Sequence, residues 1–451
     1  MSKLAISMGS NQGNRITALH QAVKLLGENG ITICKQSLIY ETPALMPDAA
    51  PANWNVPFLN MVVIAESALE PQDILAICKK IERELGRVEA ERWAPRIIDL
   101  DLILYDSLTI CSATLTVPHA AMHQRGFVLL PLAELMPDWV YPNLPWAPQH
   151  VAVQKTIREL AHSVFDQTET PLFLKVLPSQ SSLVGILNTT PDSFSDANHS
   201  RMSSDYDWGQ AYLNLFNSGA EVIDIGAEST RPGATPLTSE TEQARLKPVL
   251  DQIFALRKSS AIYPLLSFDS YHQETVKWLI TRYQPDWIND VSCGRNPELI
   301  RLLVGTSTKI VLMHSLTIPA DKKIQLRLDQ PAINAIKESL AAACDQALSI
   351  GLNSEQIILD PGIGFGKSSF HSLELLRKID SIKSLGYKTL VGASRKSYIN
   401  LLTNVAQAKQ RDPETAGICS ALNGKTNYLR VHDVELCARV MTAAELHSNK
   451  I

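Results

Sequence analysis

No Cys-x-x-Cys pair occurs in the chain; its seven cysteines (Cys34, Cys78, Cys111, Cys293, Cys344, Cys419 and Cys437) are scattered and odd in number. That excludes a disulfide framework and a cysteine-based zinc site, and it is the usage of a reduced compartment. Also missing is any apolar run approaching the ~18 residues of a membrane helix. The opening stretch, Met1 to Met8, is too short for a signal peptide. The protein is therefore expected to be cytoplasmic, without a membrane partner. Nor is positive charge in excess. Lys and Arg total 42 against 46 Asp and Glu, a formal charge of −4, which excludes the broad basic footprint that a nucleic-acid partner requires. Glycine (21) and proline (25) stand at ordinary levels, so no collagenous or low-complexity region is hidden. What is present is a globular composition, 45% apolar and 20% charged over 451 residues. At ~150 residues per domain, two or three domains are expected.

Up to about residue 150 the apolar pattern predicts a strand over Lys3–Met8 and a helix over Arg15–Glu28. Two strands follow, Ile31–Tyr40 and Phe58–Glu66, joined by a Pro-rich loop from Pro43 to Pro57, then a helix over Pro71–Leu85 and a strand over Ile97–Tyr105. This β-α-β-β-α-β order is ferredoxin-like and implies an antiparallel sheet with helices on one face. Phe127–Leu135 adds a further helix. Residues 1–160 are read as this domain. From Ala161 to Ser182 the period is lost while Gln, Thr, Ser and Pro accumulate, which reads as a linker over 161–182. Residues 183–451 carry eight strand patterns: Leu183–Asn188, Glu221–Ala227, Tyr263–Asp269, Trp287–Ser292, Lys309–Ser315, Gln356–Gly362, Lys388–Ser394 and Tyr428–Asp433. Each is followed by helical spacing, as in Ser239–Lys258, Pro331–Ile350 and Ser369–Gly386. Eight βα units in about 270 residues fit a (β/α)8 TIM barrel. A doubly wound open sheet is the rival.

Barrel active sites are built where strands end, and these strand ends are polar: Asn188, Asp224, Asp269, Asn289 with Asp290, His314, Asp360, Ser394-Arg395-Lys396, and Arg430 with His432. One Asp or His at a strand end is more often structural. So many converging on one rim would be costly without a ligand. Carboxylates and amides suit a donor-rich heterocycle, and the cations suit an anionic leaving group. Gly362 to Ser368 imitates a phosphate loop, but the pattern Gly-x-x-x-x-Gly-Lys-Ser needs glycine where Pro361 stands, so that reading is rejected.

Four segments carry a resemblance: Gly185-Ile-Leu-Asn-Thr-Thr-Pro-Asp-Ser-Phe-Ser-Asp196, Asp224-Ile-Gly-Ala-Glu-Ser-Thr-Arg-Pro-Gly233, Asp360-Pro-Gly-Ile-Gly-Phe-Gly-Lys367 and Gly392-Ala-Ser-Arg-Lys-Ser397. Together they resemble dihydropteroate synthase, which condenses 6-hydroxymethyl-7,8-dihydropterin diphosphate with p-aminobenzoate and releases pyrophosphate. The resemblance implies that Asp269, Asn289, Asp360 and Lys396 hold the pterin. It implies that Asn188, Arg430 and His432 bind the diphosphate, with Mg²⁺ at Asn188. Thr230, Arg231, Pro232, Phe365 and Ser397 would form the aminobenzoate pocket.

In the first module, Asp99 and Asp101 lie two apart on a strand and so project to one face. Two adjacent carboxylates invite a divalent cation, and Arg87, Arg92 and Arg96 nearby can neutralise phosphates. The segments Gly9-Ser-Asn-Gln-Gly13, Tyr40-Glu-Thr-Pro43, Phe58-Leu-Asn60, Arg92-Trp-Ala-Pro-Arg-Ile-Ile-Asp-Leu-Asp101, Val117-Pro-His119 and Arg125-Gly-Phe127 resemble 6-hydroxymethyl-7,8-dihydropterin pyrophosphokinase. By that resemblance Asp99 and Asp101 bind two Mg²⁺ ions, and Phe58 and Phe127 sandwich the pterin. Thr42, Pro43, Leu45 and Asn60 line the pterin edge, while Glu82, Arg87, Arg96, Ile98, His119 and Arg125 contact ATP. Arg96, Asp99, Asp101 and Lys396 are the expected catalytic residues. Glu89, where another Arg is common, and Ala120 depart from the pattern, and Trp54 on a long loop is expected to serve as part of a lid.

The product of the first module is the substrate of the second, which makes a bifunctional folate-synthesis enzyme the leading expectation. The resemblance to dihydropteroate synthase also implies a homodimer through the barrel. One alternative is a pterin-dependent methyltransferase barrel, against which Ser229-Thr-Arg-Pro232 and Ser394-Arg-Lys-Ser397 argue. The other is a fusion with one inactive binding module, against which the presence of Asp99, Asp101 and Lys396 argues.

Overall fold

The computed structural model describes residues 1–47, 50–88, 91, 93–165, 174–176, 180–189, 206–229, 234–257, 263–321, 323–327 and 331–448. The chain divides into two compact units, one over Met1–Pro178 and one over Ser179–Ser259 and Tyr263–Ser448. No helix among the described residues is long and apolar enough to cross a membrane.

The first unit runs β1 (Ser2–Ser10), α1 (Arg15–Glu28), β2 (Thr32–Gln36), β3 (Ile39–Thr42), β4 (Phe58–Ser67), α2 (Pro71–Glu84) and β5 (Asp99–Tyr105). A two-stranded ribbon, β6 (Ile110–Cys111) and β7 (Thr116–Val117), precedes α3 (Gly126–Leu135), α4 (Ile157–Phe165) and β8 (Leu174–Val176). The main sheet has the order β5-β1-β4-β3-β8, with β2 also on β4, and the pairings are antiparallel.

Three expectations change in detail. The strand read over 31–40 is two, because Ser37 bonds its hydroxyl to Leu38 O (2.7 Å) and accepts Val62 N–H (3.0 Å), so the ladder slips by a residue. Helices cover both faces of the sheet rather than one: β1 and β4 are buried at nearly every position, and α3 and α4 pack on Ala5, Val62 and Ile64. The stretch 161–182 holds the end of α4 and the edge strand β8, which is too short to show a period.

The second unit alternates β9 (Ser182–Asn188), α5 (Trp208–Asn217), β10 (Val222–Gly226), α6 (Ser239–Arg257), β11 (Leu265–Asp269), α7 (Gln273–Tyr283), β12 (Trp287–Asp290), α8 (Pro297–Arg301), β13 (Lys309–Met313), α9 (Ala332–Ile350) and β14 (Ile357–Asp360). It continues through α10 (Ser369–Arg377), α11 (Asp380–Lys383), β15 (Lys388–Val391), α12 (Tyr398–Thr403), α13 (Asp412–Leu422), β16 (Tyr428–Val431) and α14 (Val434–Ser448). All eight strands are parallel, and β16 pairs back onto β9 (Leu429 opposite Leu183), which closes the barrel and excludes the open sheet. The barrel is plugged at one level by Val184, Val222, Trp287, Val311, Ile358 and Leu390, with the Tyr428 ring edge-on to Trp287 at 4.7 Å. Two residues further along a strand the side chain returns to the same face. There the plug gives way to Asp224, Asn289, Asp360 and Arg430. The apolar layer is structural; the polar layer above it faces the C-terminal rim, where barrel chemistry is done.

Candidate active sites

In the first unit the central strand β1 carries two small residues, Ser7 and Gly9, on one face. Ser7 stands opposite Asp101 and Gly9 opposite Asp99 on β5, while Gly9 faces Asn60 on β4. Neighbouring side chains lean over this floor: a Cβ on Gly9 would come 3.0 Å from Asn60 Oδ1 and 3.5 Å from the Phe58 ring. Above it opens a cavity of about 310 Å³ lined by Ser7, Gly9, Thr42, Pro43, Leu45, Phe58, Asn60, Lys79, Arg87, Trp93, Arg96, Asp99, Asp101, His119, Arg125 and Phe127. One side is apolar, and the other is a knot of opposite charges. Asn60 donates to Thr42 Oγ1 (2.9 Å) on the apolar side. Arg87 binds the Asp99 carboxylate, Arg96 Nη1 lies 3.4 Å from its other oxygen, and Arg125 Nη1 is 3.9 Å from Asp101.

The Gly9–Gly13 motif explains how Arg96 is placed. Asn11 Oδ1 accepts Arg96 N–H (2.8 Å), and Asn11 N–H donates to Arg96 O (3.1 Å). The two aspartates then diverge. Burial raises the Asp99 carboxyl pKa, but Arg87, Arg96 and Lys79 outweigh it and hold the net value below the usual range. Burial, and then the Asp99 charge, push Asp101 up. His119 is lowered, first by burial. A second negative charge that the surroundings resist suits an added cation with hard oxygen ligands. Among the described residues no three His, Cys, Asp or Glu side chains could jointly hold a metal. An ion at Asp99 and Asp101 would therefore complete its shell with ligand oxygens, as phosphate-bound Mg²⁺ does.

Two expected ATP contacts do not line this cavity. Ile98 is fully buried. Glu82 is buried beneath the wall, where Oε1 accepts from Lys79 Nζ (2.7 Å), Arg87 Nη1 (2.8 Å) and Leu100 N–H (2.8 Å). It braces the charged wall from below. Lys79, by contrast, does line the cavity and was missed; a lysine in the middle of an amphipathic helix gives no signal unless the helix is known to pass under the paired aspartates. Ser7, on β1, was not singled out and Trp93 was named only within its motif, yet both line the cavity, and Trp54 is not in the lining.

In the barrel, Arg430 holds two carboxylates at once, Nε on Asp224 Oδ2 (2.6 Å) and Nη2 on Asp269 Oδ2 (3.0 Å). Asn289 Nδ2 reaches the same Asp224 oxygen at 3.3 Å. Asn188 Oδ1 and Asp269 flank Gly226, each about 3.5 Å from where a Cβ would stand. Asp360 Oδ1 accepts Gly362 N–H (2.7 Å). Burial pushes its carboxyl up to about 6, while the charges of Lys396, Arg430 and Lys367 pull the other way. Lys396 Nζ sits 4.3 Å over the Phe365 ring, and Ser394 Oγ lies 2.9 Å from His432 Nδ1. Ser397 is exposed at the start of α12. Thr230, Arg231 and Pro232, like Glu89 in the first unit, lie outside the described residues.

Asp224 was named only as a polar strand end, yet it is the hub of the rim. Its Oδ1 and Asn289 Oδ1 are buried and accept no hydrogen bond from the described residues. Native folds rarely leave such acceptors bare, so this pair fits a ligand that brings N–H groups. For a cation, Asn188 supplies a single neutral oxygen, which suits an ion that arrives bound to phosphate.

The raised Asp360 value gives a pH expectation. The carboxylate is ionised above about 6 and protonated below it, and only the ionised form accepts two N–H bonds. KM for the barrel's substrate should therefore rise as pH falls through about 6, where an ordinary carboxylate would hold to lower pH. Initial rates across that range check this.

A closed βα barrel with an acid, amide and arginine rim, and a separate sheet with paired aspartates among arginine, lysine and histidine side chains, define a two-site group-transfer enzyme. Residues 5–137 match the family described as 7,8-dihydro-6-hydroxymethylpterin-pyrophosphokinase, and residues 184–432 match the one described as pterin binding enzyme. The chain is 35% identical over 445 residues to a folate synthesis bifunctional protein of Chlamydia caviae, covering 98% of this chain and 97% of that relative. It belongs to the family of bifunctional folate-synthesis enzymes, with the pyrophosphokinase first and dihydropteroate synthase second. Among solved structures, the barrel is similar to dihydropteroate synthase from Anaplasma phagocytophilum with bound 6-hydroxymethylpterin-monophosphate. That match has 34% identity and a TM-score of 0.52, and covers 59% of this chain and 99% of that one. It is also similar to Xanthomonas albilineans dihydropteroate synthase with 4-aminobenzoic acid, at 29% identity and a TM-score of 0.53, covering 62% and 96%.

Proposed function

We propose that the two activities run on the side chains described above, in sequence and at separate sites. In the first unit, Phe58 and Phe127 flank the ring of 6-hydroxymethyl-7,8-dihydropterin. Thr42, Pro43, Leu45 and Asn60 read its edge, Asn60 with the Oδ1 that its bond to Thr42 leaves available. The pterin hydroxyl attacks the β-phosphorus of ATP, forming the diphosphate ester and releasing AMP. Arg87, Arg96, Arg125, His119 and Lys79 spread the phosphate charge. Asp99 and Asp101 would hold Mg²⁺, which would supply neutralisation of phosphate charge there. For Asp99 to serve, Arg87 and Arg96 must release it, and the phosphates offer those guanidinium groups a replacement partner.

In the barrel, Asp224, Asp269, Asn289 and Asp360 accept from the aminopyrimidinone edge, the reading that the two bare buried oxygens support most directly. Lys396 lies across the ring. Asn188, Arg430 and His432 take the diphosphate, with Mg²⁺ fitting at Asn188, and Phe365, Ser397 and the Thr230–Pro232 segment receive p-aminobenzoate. Its amine forms the new C–N bond as the C–O bond to pyrophosphate breaks, and the cations stabilise the departing charge. The ligands named for the Anaplasma and Xanthomonas relatives support this assignment. Purified protein given ATP, Mg²⁺, hydroxymethyldihydropterin and p-aminobenzoate should form dihydropteroate, AMP and pyrophosphate; failure to form dihydropteroate would overturn the proposal.

Free cysteines throughout support a reduced, cytoplasmic setting. Exposed Phe370, Leu401 and Leu402, on the adjacent helices α10 and α12, support self-association through the barrel. Lys79 gives a sharper test of the first site. Lys79→Met should lower kcat/KM for ATP by about 10-fold, the value of one charge-assisted hydrogen bond, and leave condensation of preformed diphosphate unchanged. Steady-state kinetics of both half-reactions decide it.

A further inference from the structure

The glycine-rich stretch after β14 imitates a phosphate loop, but its lysine does something different. In a phosphate loop the lysine reaches outward to the ligand. Here Lys367 turns inward and is almost enclosed, at 6% exposure. Its Nζ donates to Phe365 O (2.8 Å), His314 O (3.1 Å) and His314 Nδ1 (2.8 Å). The loop is wound around this ammonium. Gly362, Gly364 and Gly366 all have φ between +65° and +82°, a region that residues with a side chain rarely adopt. A Cβ at Gly362 would collide with His314 O at 1.9 Å. Burial lowers the Lys367 pKa to about 7, and burial followed by the Lys367 charge lowers His314 to about 3. His314 is thus neutral, and opposite the protonated Lys367, whose three N–H groups all donate, its Nδ1 is the acceptor. Three acceptors around one buried donor group form a strut between the end of β13 and the Phe365 peptide.

That peptide carries the ring over which Lys396 lies, and Gly364 packs against the Lys396 side chain, 3.5 Å from Cδ to the place of a Cβ. We propose that Lys367 is a positioning residue of the condensation step, holding the Gly362–Phe365 turn on His314 so that Phe365 and Lys396 keep the geometry that receives p-aminobenzoate beside the pterin. The inference rests on reading Phe365 and Lys396 as part of that pocket. Without the strut the turn loses its tie to His314, and a misplacement of about 1 Å near reacting groups is enough to cost roughly 10²-fold in rate.

The other end of β14 offers a control. Gln356 is similarly buried, and its Nε2 donates to Leu303 O (3.2 Å), Thr306 O (3.1 Å) and Thr308 O (2.8 Å), beneath the barrel plug. Lys367→Met and Gln356→Met each remove three buried hydrogen bonds, so both should lower Tm. Only Lys367→Met should raise KM for p-aminobenzoate, with kcat/KM falling roughly 10- to 100-fold. Its effect should not add to that of Phe365→Ala in the double variant, because both act through the same ring. ATP-dependent pyrophosphorylation should be unchanged in every case. If Phe365→Ala impairs condensation but Lys367→Met only tracks Gln356→Met, or adds fully to Phe365→Ala, the positioning role fails and the pocket reading stands. If Phe365→Ala leaves condensation at the wild-type level, the pocket reading fails and the role of Lys367 with it. Should Lys367→Met not fold, Lys367→Gln, which keeps amide N–H donors, is measured under the same criteria.

Discussion

Asp101→Ala is expected to lower pyrophosphoryl transfer by ~10²–10³-fold, equivalent to ~3–4 kcal/mol of transition-state stabilisation, while condensation of preformed pterin diphosphate proceeds at the wild-type rate. Among the described residues lining the cavity of the first unit, the acidic side chains are Asp99 and Asp101, and Asp99 is already gripped by Arg87 and Arg96. Removing Asp101 leaves no second carboxylate to share a divalent cation. Its nearest ion partner, Arg125, stands 3.9 Å away, so truncation breaks no close bond that the fold depends on. The comparison of AMP release with dihydropteroate formation in one preparation isolates the effect. Wild-type AMP release by this variant would refute the metal assignment.

Lys396→Ala is expected to impair the other reaction by a similar factor, ~10²–10³-fold. Lys396 stands in the turn after β15, its ammonium over Phe365 and its charge acting on Asp360. In the proposed function it is the cation that covers the heterocycle while the leaving group departs. That turn is fixed by side chains other than that of Lys396. Arg395, at φ 59°, is clamped bidentately by Asp412 at 2.7 Å on each arm, and Arg411 donates to the carbonyls of Arg395 (3.1 Å) and Lys396 (3.3 Å). Deleting the Lys396 side chain should therefore leave the backbone in place and remove only its charge and contact. A comparable fall in AMP release would count against separate sites.

Much of this was legible in the sequence, for physical reasons. Strands that alternate with helices at regular spacing are long-wavelength signals, and seven of the barrel strands lie within the stretches read for them, while β9 begins one residue earlier, at Ser182. The period-two rule placed Asp99 and Asp101 on one face, and they share a cavity wall. Features set by one local hydrogen bond or by depth were not legible. The Ser37 break divides one apparent strand into two. Glu82 has the residue type of a ligand contact but lies a layer beneath the surface, and Lys79, three residues earlier on the same helix, takes the exposed place. Asp224 could not be ranked above the other strand-end aspartates, because its distinguishing mark is an oxygen with no partner, a property of three-dimensional packing. The inward turn of Lys367 likewise depends on His314, which is 53 residues away.

The most direct measurement mixes the two variants. Asp101→Ala protein and Lys396→Ala protein, each given ATP, Mg²⁺, hydroxymethyldihydropterin and p-aminobenzoate, should separately form little dihydropteroate. Together they should form it readily, as diphosphate made by intact first sites passes through solvent to intact barrels. A mixture no better than either variant alone, with AMP still released, would contradict exchange between two independent sites. Full dihydropteroate production by either variant on its own would contradict the sites themselves.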